Sequence, residues 1–514
     1  MARLALFAVV SLLAAGLISA CGSTTKQPAA LAPAQTLFYG EVNLAPPGGQ
    51  KAAVDALARK FPGSGSAGQR MSALIEDGFR EGDAKISFER DVKPWLGERA
   101  AFFAGSPPRG GSGDTPAAAL VATKDEGKAL ATVQKREGQG TEAEYEGVKY
   151  RRFGEKDNVA AALDGYLVLS NEFGLKALVD ASKKSDRGLE SSDRFQKALE
   201  GQPTERLGFV YVDARAAIDA VPPAQAQFLA PFRSAFRDPI VAIATAEPDA
   251  LELTSKTPEA QLAALGVAGL GSKGSDVIGK LPGDSLLATG GPEFGRRLAA
   301  GVDRAASSFG GRAILEQALR QRTGLDLQRD VLAWMGDYGI FVRGRDRRSL
   351  GGALVVESKD PAATRRAIAG FRRILRGQAS SGPRIGRLGI RGADAGFTVT
   401  DEDRSAPIHV FLRSGRFVVA YGTQAANQAS NPRGTLEDES TFRQATGSLG
   451  GGYAVNTYGS VPAALLLAEG LGATSDSAYQ KAKPYLTVLG ALVGAAKPAG
   501  GGKLESKFRL TVPG

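Results

Sequence analysis

An α+β fold written twice, each copy a mainly antiparallel sheet covered by helices, is what this 514-residue sequence predicts. Three observations carry that expectation. Apolar residues alternate between period two and roughly 3.6 along the chain, the signature of hairpins interspersed with amphipathic helices. Glycine and proline, 66 and 26 residues, punctuate it with turns. And the chain resembles itself: Arg90-Asp91-Val92-Lys93-Pro94-Trp95-Leu96-Gly97-Glu98 matches Arg329-Asp330-Val331-Leu332-Ala333-Trp334-Met335-Gly336-Asp337, aligning the only two tryptophans. At the same offset Phe102 meets Phe341 and Gly105 meets Gly344, and one residue further along Ala73 to Glu76 meets Ala313 to Glu316.

Each copy opens on a proline turn that feeds a strand, at Pro33 to Phe38 and Pro282 to Leu287. In the second copy Tyr338 to Val342 and Gly352 to Glu357 read as a hairpin around the polar turn Arg343 to Ser349. Pro361 then opens a helix to Arg376, with Ile368, Phe371 and Leu375 forming its apolar stripe. Gly396 to Thr400, Pro407 to Leu412 and Arg416 to Tyr421 read as a meander turning at Asp401 to Asp403 and at Ser414-Gly415. The first copy repeats the scheme at Ala100 to Ala104, Ala117 to Thr123, a helix over Glu126 to Lys135, and strands around Tyr150, Val159 and Leu167. Each sheet is expected to carry its helices on one face. Tyr485 to Ala496 is too short to span a bilayer and reads as a buried helix.

The amino terminus sets the expected compartment. Arg3, the apolar stretch Leu4 to Leu17 and the small residues to Ala20 have the layout of a secretory signal peptide. It ends at the only cysteine, and Ile18-Ser19-Ala20-Cys21 resembles a bacterial lipobox, in which the thiol takes a diacylglycerol. Acyl chains bury about 0.8 kcal/mol per methylene, so two or more hold a protein on a membrane. The domain reading is therefore a signal peptide over 1–20, a lipidated Cys21 and flexible tether over 21–30, a first copy over 31–275 and a second over 276–514. The expected location is the outer face of the cell membrane, with membrane lipids as partners through Cys21.

The net charge of +10 is unevenly shared. Residues 1–275 hold 32 Lys+Arg against 33 Asp+Glu, and residues 276–514 hold 32 against 21. Arg343, Arg345, Arg347 and Arg348 crowd the hairpin turn, and Arg365, Arg366, Arg372, Arg373 and Arg376 line the helix after it. Such a field concentrates anionic partners, here anionic lipid headgroups or acidic wall polymers. Nucleic acid is not expected as a partner, because an exported protein rarely meets it and no aromatic residues interleave with these arginines to stack bases.

The catalytic inventory is thin. One Cys and one His leave no set for a Cys/His zinc site, a disulfide framework or paired-histidine haem ligation, and no cofactor is expected. The glycine patterns at Gly63-Gly65-Gly68 and Gly269-Gly271-Gly274 follow no strand, so neither reads as a dinucleotide loop. His409 lies inside an apolar strand and reads as a structural side chain. Asp401 to Asp403 and Glu437 to Glu439 read as turn chemistry, and Asp91 and Asp330 as helix caps with the tryptophan four residues on as a core anchor.

The lipobox at Cys21, the opening Leu31-Ala32-Pro33-Ala34-Gln35-Thr36-Leu37-Phe38-Tyr39-Gly40-Glu41-Val42-Asn43-Leu44 and the following Lys51 to Gly63 resemble a family of uncharacterised bacterial envelope lipoproteins, catalogued only as a conserved domain of unknown function. The resemblance implies location and architecture and brings no catalytic residue. Three function classes follow: a non-enzymatic binding or scaffold lipoprotein of the cell envelope, which the residues favour; a lipid or glycolipid carrier with an apolar groove between the copies; and a wall-glycan hydrolase using carboxylates alone.

Overall fold

A computed structural model describes residues 26–63, 76, 86–106, 115–154, 158–184, 187–221, 233, 235–264, 275–307, 311–377, 383–401 and 405–513. The signal peptide, Cys21, Ala73 to Ile75 and most of both glycine patterns lie outside them. The chain divides into a unit ending at Lys256 and a unit over Thr257–Pro513, earlier than the boundary at 275 read from the sequence.

The first unit contains β1 (Thr36–Asn43), α1 (Gly48–Ala58), β2 (Leu96–Gly105), β3 (Ala117–Thr123), α2 (Glu126–Glu137), β4 (Thr141–Tyr145), β5 (Val148–Phe153), β6 (Asn158–Leu163), β7 (Tyr166–Asn171), α3 (Glu172–Lys183), α4 (Asp193–Leu199), β8 (Gly208–Val212), β9 (Ile240–Glu247) and β10 (Ala250–Pro258). Its strand order is β10-β9-β8-β1-β2-β3-β7-β6-β5-β4, antiparallel throughout. Two-residue turns at Glu146-Gly147 and Asp164-Gly165 have positive φ at both positions, matching the twist of the strands they join.

The second unit contains β11 (Ser285–Gly291), α5 (Phe294–Ser307), α6 (Arg312–Thr323), β12 (Met335–Arg343), β13 (Gly351–Ser358), α7 (Pro361–Gly377), β14 (Arg384–Gly386), β15 (Ala395–Thr400), β16 (Ile408–Arg413), β17 (Arg416–Tyr421), α8 (Thr423–Ser430), α9 (Ser440–Gly447), β18 (Ala454–Ser460), α10 (Val461–Gly470), α11 (Ser477–Leu486), β19 (Ala491–Pro498) and β20 (Lys503–Thr511). Its order is β20-β19-β18-β11-β12-β13-β17-β16-β15-β14, again antiparallel. The predicted meander and its Ser414-Gly415 turn are present, with φ of 49° and 74°.

Helices lie on both faces of each sheet, which corrects the one-face expectation. In β3 and β7, Leu120 and Val168 pack with Leu175 and Leu178 of α3, while Val121 and Leu167 pack oppositely with Trp95 and Ala129 of α2. In β13, Ala353 and Val355 pack with Ala425 and Ala426 of α8, and Val356 packs oppositely with Ala367 and Ile368 of α7. Strands buried on both sides lose the alternation that marks a single covered face. The same effect explains Tyr485 to Ala496: α11 ends at Leu486, and Ala491 onward is β19, its side chains mostly buried, rather than a helix.

The internal register also needs correction. Wholly buried Phe103 pairs with Tyr39, while Phe102 stacks on Phe38 across the sheet; in the second unit it is Phe341 that is buried, opposite Ala288. The reason lies upstream. Between their paired ends β2 runs from Leu96 to Ala100 where β12 runs only from Met335 to Tyr338, so the bulge in β2 holds one residue more and shifts everything after it.

Candidate functional site

Before β2 and β12 the chain makes one wide turn, Phe88–Val92 and Leu327–Leu332, closed by Lys93 N donating to Phe88 O and Ala333 N to Gln328 O, five residues back in each case. The aspartates of the repeated motif are not the caps expected. Ser87 Oγ and Asp326 Oδ1 cap these turns, accepting from the amides of Arg90 and Arg329. Asp91 and Asp330 instead reach back to the amides of Ser87 and Asp326 at 2.8 and 2.9 Å. An α-helical capping box carries its acid at the third helical position; a π turn holds one residue more, so the acid comes fourth. Lys135, bonded to Asp91 at 2.6 Å, holds that carboxyl below its usual range, and Arg329 with the Asp326 amide holds Asp330 at about 2. The tryptophans are the anchors expected: Trp95 Nε1 donates to Asp91 O and Trp334 Nε1 to Asp330 O.

His409, buried, sits between Thr398 Oγ1 at Nδ1 and Thr423 Oγ1 at Nε2, both at 3.1 Å, tying β15 and β16 to the start of α8. Burial lowers its pKa, so the fold binds the neutral ring. Its contribution is therefore complete above about pH 6.5 and is lost as pH falls below that value, because the unfolded chain takes up the proton first. A His409→Gln variant should show a smaller fall in Tm between neutral and mildly acidic pH than the wild type in calorimetry; an equal fall would remove His409 from this account. Of the acidic clusters, Asp438 closes a capping box with Thr435, and residues 402–404 lie outside the described set.

The nine candidate arginines do not form one surface. Arg343 is ion-paired with Asp284 and reaches Gln424, fastening the end of β12. On α7, Arg373 donates to Thr323 O, and Arg366 lies close enough to Asp330 to help keep it ionised. Arg365, Arg366, Arg373 and Arg376 share the exposed side of α7, and Arg372 is half-buried. Arg345, Arg347 and Arg348 stand exposed in the β12–β13 turn. The turn's carboxylate, Asp346, is engaged by the turn itself, accepting from the amides of Arg348 and Ser349 and from Ser349 Oγ.

The sequence reading passed over α10. Val461-Pro462-Ala463-Ala464-Leu465-Leu466-Leu467-Ala468-Glu469-Gly470 is almost wholly apolar, yet none of it is fully buried. Ser460 Oγ caps it through the Ala463 amide, and it packs over β11 and β19 on the sheet face opposite the α8–α9 layer. On that face Leu287, Ile340 and Leu492 are exposed, and Leu466 of α10 and Leu471 just past its end are each 51% exposed. Its far end abuts the arginine turn: a Cβ at Gly470 would lie 1.8 Å from Arg345 O. The available signal was the eight-residue apolar run Val461 to Ala468 following a serine cap and lacking an opposing polar face.

In the first unit the chain is fastened almost from its first described residue. Pro28, Ala29 and Leu31 are buried in a helical turn, Tyr166 donates to Lys26 O, and Lys26 Nζ meets Asp164 at 2.9 Å. Residues 26–30, expected as part of a flexible tether over 21–30, are thus fastened to the first unit. Nearby, Tyr39 donates to Glu41 Oε2 at 2.8 Å, and burial raises the Glu41 pKa against the opposing pull of Tyr39, Arg99 and Arg206. Among the described residues no group of three or more His, Cys, Asp or Glu could hold a metal, and no helix is long and apolar enough to cross a membrane.

A family model described as "Protein of unknown function (DUF3352)" matches residues 4–458. No curated protein matches the chain. Two solved structures of TP0453 are similar to it: crystal form IV at 10% identity and a TM-score of 0.25, covering 46% of this chain and 83% of that one, and crystal form I at 8% and 0.22, covering 46% and 80%.

Proposed function

The chain belongs to this family of unknown function, and from that premise we propose that it is a lipid-anchored extracytoplasmic protein with a non-enzymatic binding or scaffold role in the cell envelope. One observation carries the reading: five residues after the lipobox cysteine, Lys26 is already bonded to the first sheet, so an acylated Cys21 leaves only residues 22–25 as tether. Extended, four residues reach roughly 14 Å, which holds the folded body against the bilayer surface.

The body itself is a tandem duplication. The identical ten-strand orders, the paired π turns and the repeated bond from a tryptophan ring to the aspartate carbonyl four residues earlier all support it. The aspartates of the repeated motif are engaged by cap amides and neighbouring cations, and His409 by two threonines, so the polar groups that catch the eye in the sequence brace the architecture.

Replacing Cys21 with Ser tests the anchor. Radiolabelled palmitate should enter the wild type and not the variant, and the variant should leave salt-washed membranes for the soluble fraction. Label retained by Cys21→Ser would overturn the proposal.

A further inference from the structure

We propose that the outer face of the second unit, formed by α10, the exposed leucines of β11 and β19 and the Arg345–Arg348 turn, docks on an anionic lipid bilayer. This rests on the envelope location proposed above and adds a surface to it. Two features meet there. Leu466 and Leu471 stand half out of the protein beside exposed Leu287 and Leu492, and contiguous apolar surface of this kind marks an interaction site. The helix that carries them ends against the backbone of Arg345, where three guanidinium groups are exposed around a single carboxylate, Asp346, already bonded within its turn.

The remaining charges nearby are matched: Glu469 of α10 accepts from Tyr479 and pairs with Lys483, and Arg343 pairs with Asp284. Among these groups the surplus is therefore positive and lies in the turn. Leucines that enter the headgroup boundary together with adjoining arginines that meet its phosphates are the two contributions an interfacial helix uses. A neutral protein partner would match the leucines and leave the arginines unanswered. The arginines of α7 are outside this surface, since α7 packs on the same sheet face over the distant β15–β16 strands, whereas α10 lies over β11 and β19.

The test uses the full mature chain carrying Cys21→Ser, so that acylation plays no part. It should co-sediment with phosphatidylglycerol–phosphatidylcholine vesicles at low salt and not with phosphatidylcholine alone. Changing Arg345, Arg347 and Arg348 to Ser should weaken binding about fivefold per arginine. Leu466→Ser with Leu471→Ser should weaken it at least about tenfold. Arg365→Ser with Arg373→Ser and Arg376→Ser, on α7, should leave binding unchanged. Thermal melts matching the wild type establish that each variant is folded. Equal binding to both vesicle types, or an α7 variant as impaired as the turn variant, would overturn the proposal. So would a concentration-dependent dimer abolished by the leucine changes, which would make the face a contact between two copies. Failure here leaves the palmitate result untouched, and failure of labelling leaves this binding untouched.

Discussion

Trp334→Ala should destabilise the second unit by about 3–5 kcal/mol, the range for removing a buried large aromatic residue. Trp334 is 1% exposed, stacks edge-on against Phe417 at 5.1 Å, and donates from Nε1 to Asp330 O at 3.0 Å. Its loss opens a cavity between the π turn and the sheet and removes the indole donor from the Asp330 carbonyl within that turn. The experiment contains its own control, because Trp95 is then the only tryptophan and lies in the first unit. In denaturant, the circular dichroism transition of the second unit should move to lower concentration while the Trp95 fluorescence transition stays in place. Unfolding with unchanged midpoints would mean that Trp334 is not the anchor described.

Gly470→Ala should separate α10 from the arginine turn. Its φ is not in the left-handed region, so alanine is conformationally acceptable there and only the contact opposes it. The added methyl would sit 1.8 Å from Arg345 O and 2.8 Å from Arg345 C, and a backbone carbonyl flanked by a folded turn cannot swing aside as a side-chain end would. Overpacking of this kind costs typically 1–3 kcal/mol. Here the helix end has a cheaper escape, by lifting. Hydrogen exchange over residues 461–476 should quicken well beyond that of β18 and β19. Unchanged exchange together with an unchanged Tm would deny the contact.

Where the chain alternates or carries a turn with a required backbone geometry, its structure was legible in sequence. Ser414-Gly415 announces a hairpin, and Pro361 followed by the Ile368-Phe371-Leu375 stripe announces α7. The parts that were not legible share a physical cause. Apart from exposed Leu492, Ala491 to Ala496 is buried on both sides, so its pattern is a plain apolar run, and a run of that length suits a strand or a helix equally. The pleat shift in β2 depends on one extra bulged residue that no composition signal marks. The π turns have the same residues as an α-helical cap but one more in the ring, which moved the capping role from Asp91 and Asp330 to Ser87 and Asp326. For the site, the sequence offers nine arginines as one candidate group, and only the fold separates Arg343, which is paired, from Arg345, Arg347 and Arg348, which are exposed. The leucines of α10 were passed over because an apolar helix ordinarily signifies core.

Strand β1 lies at the centre of its sheet, with β2 on one side and β8 on the other, so Tyr39 is paired with both Phe103 and Tyr211. β11 is likewise flanked by β12 and by the late strand β18. The earliest strand of each unit therefore keeps one bare row of amides and carbonyls until nearly all of that unit has been synthesised. Closing so long a loop before any reward is collected makes folding slow, and in the interval the open rim can zip onto a neighbouring chain. Such an architecture favours a nascent polypeptide kept apart from its own kind until its last third arrives.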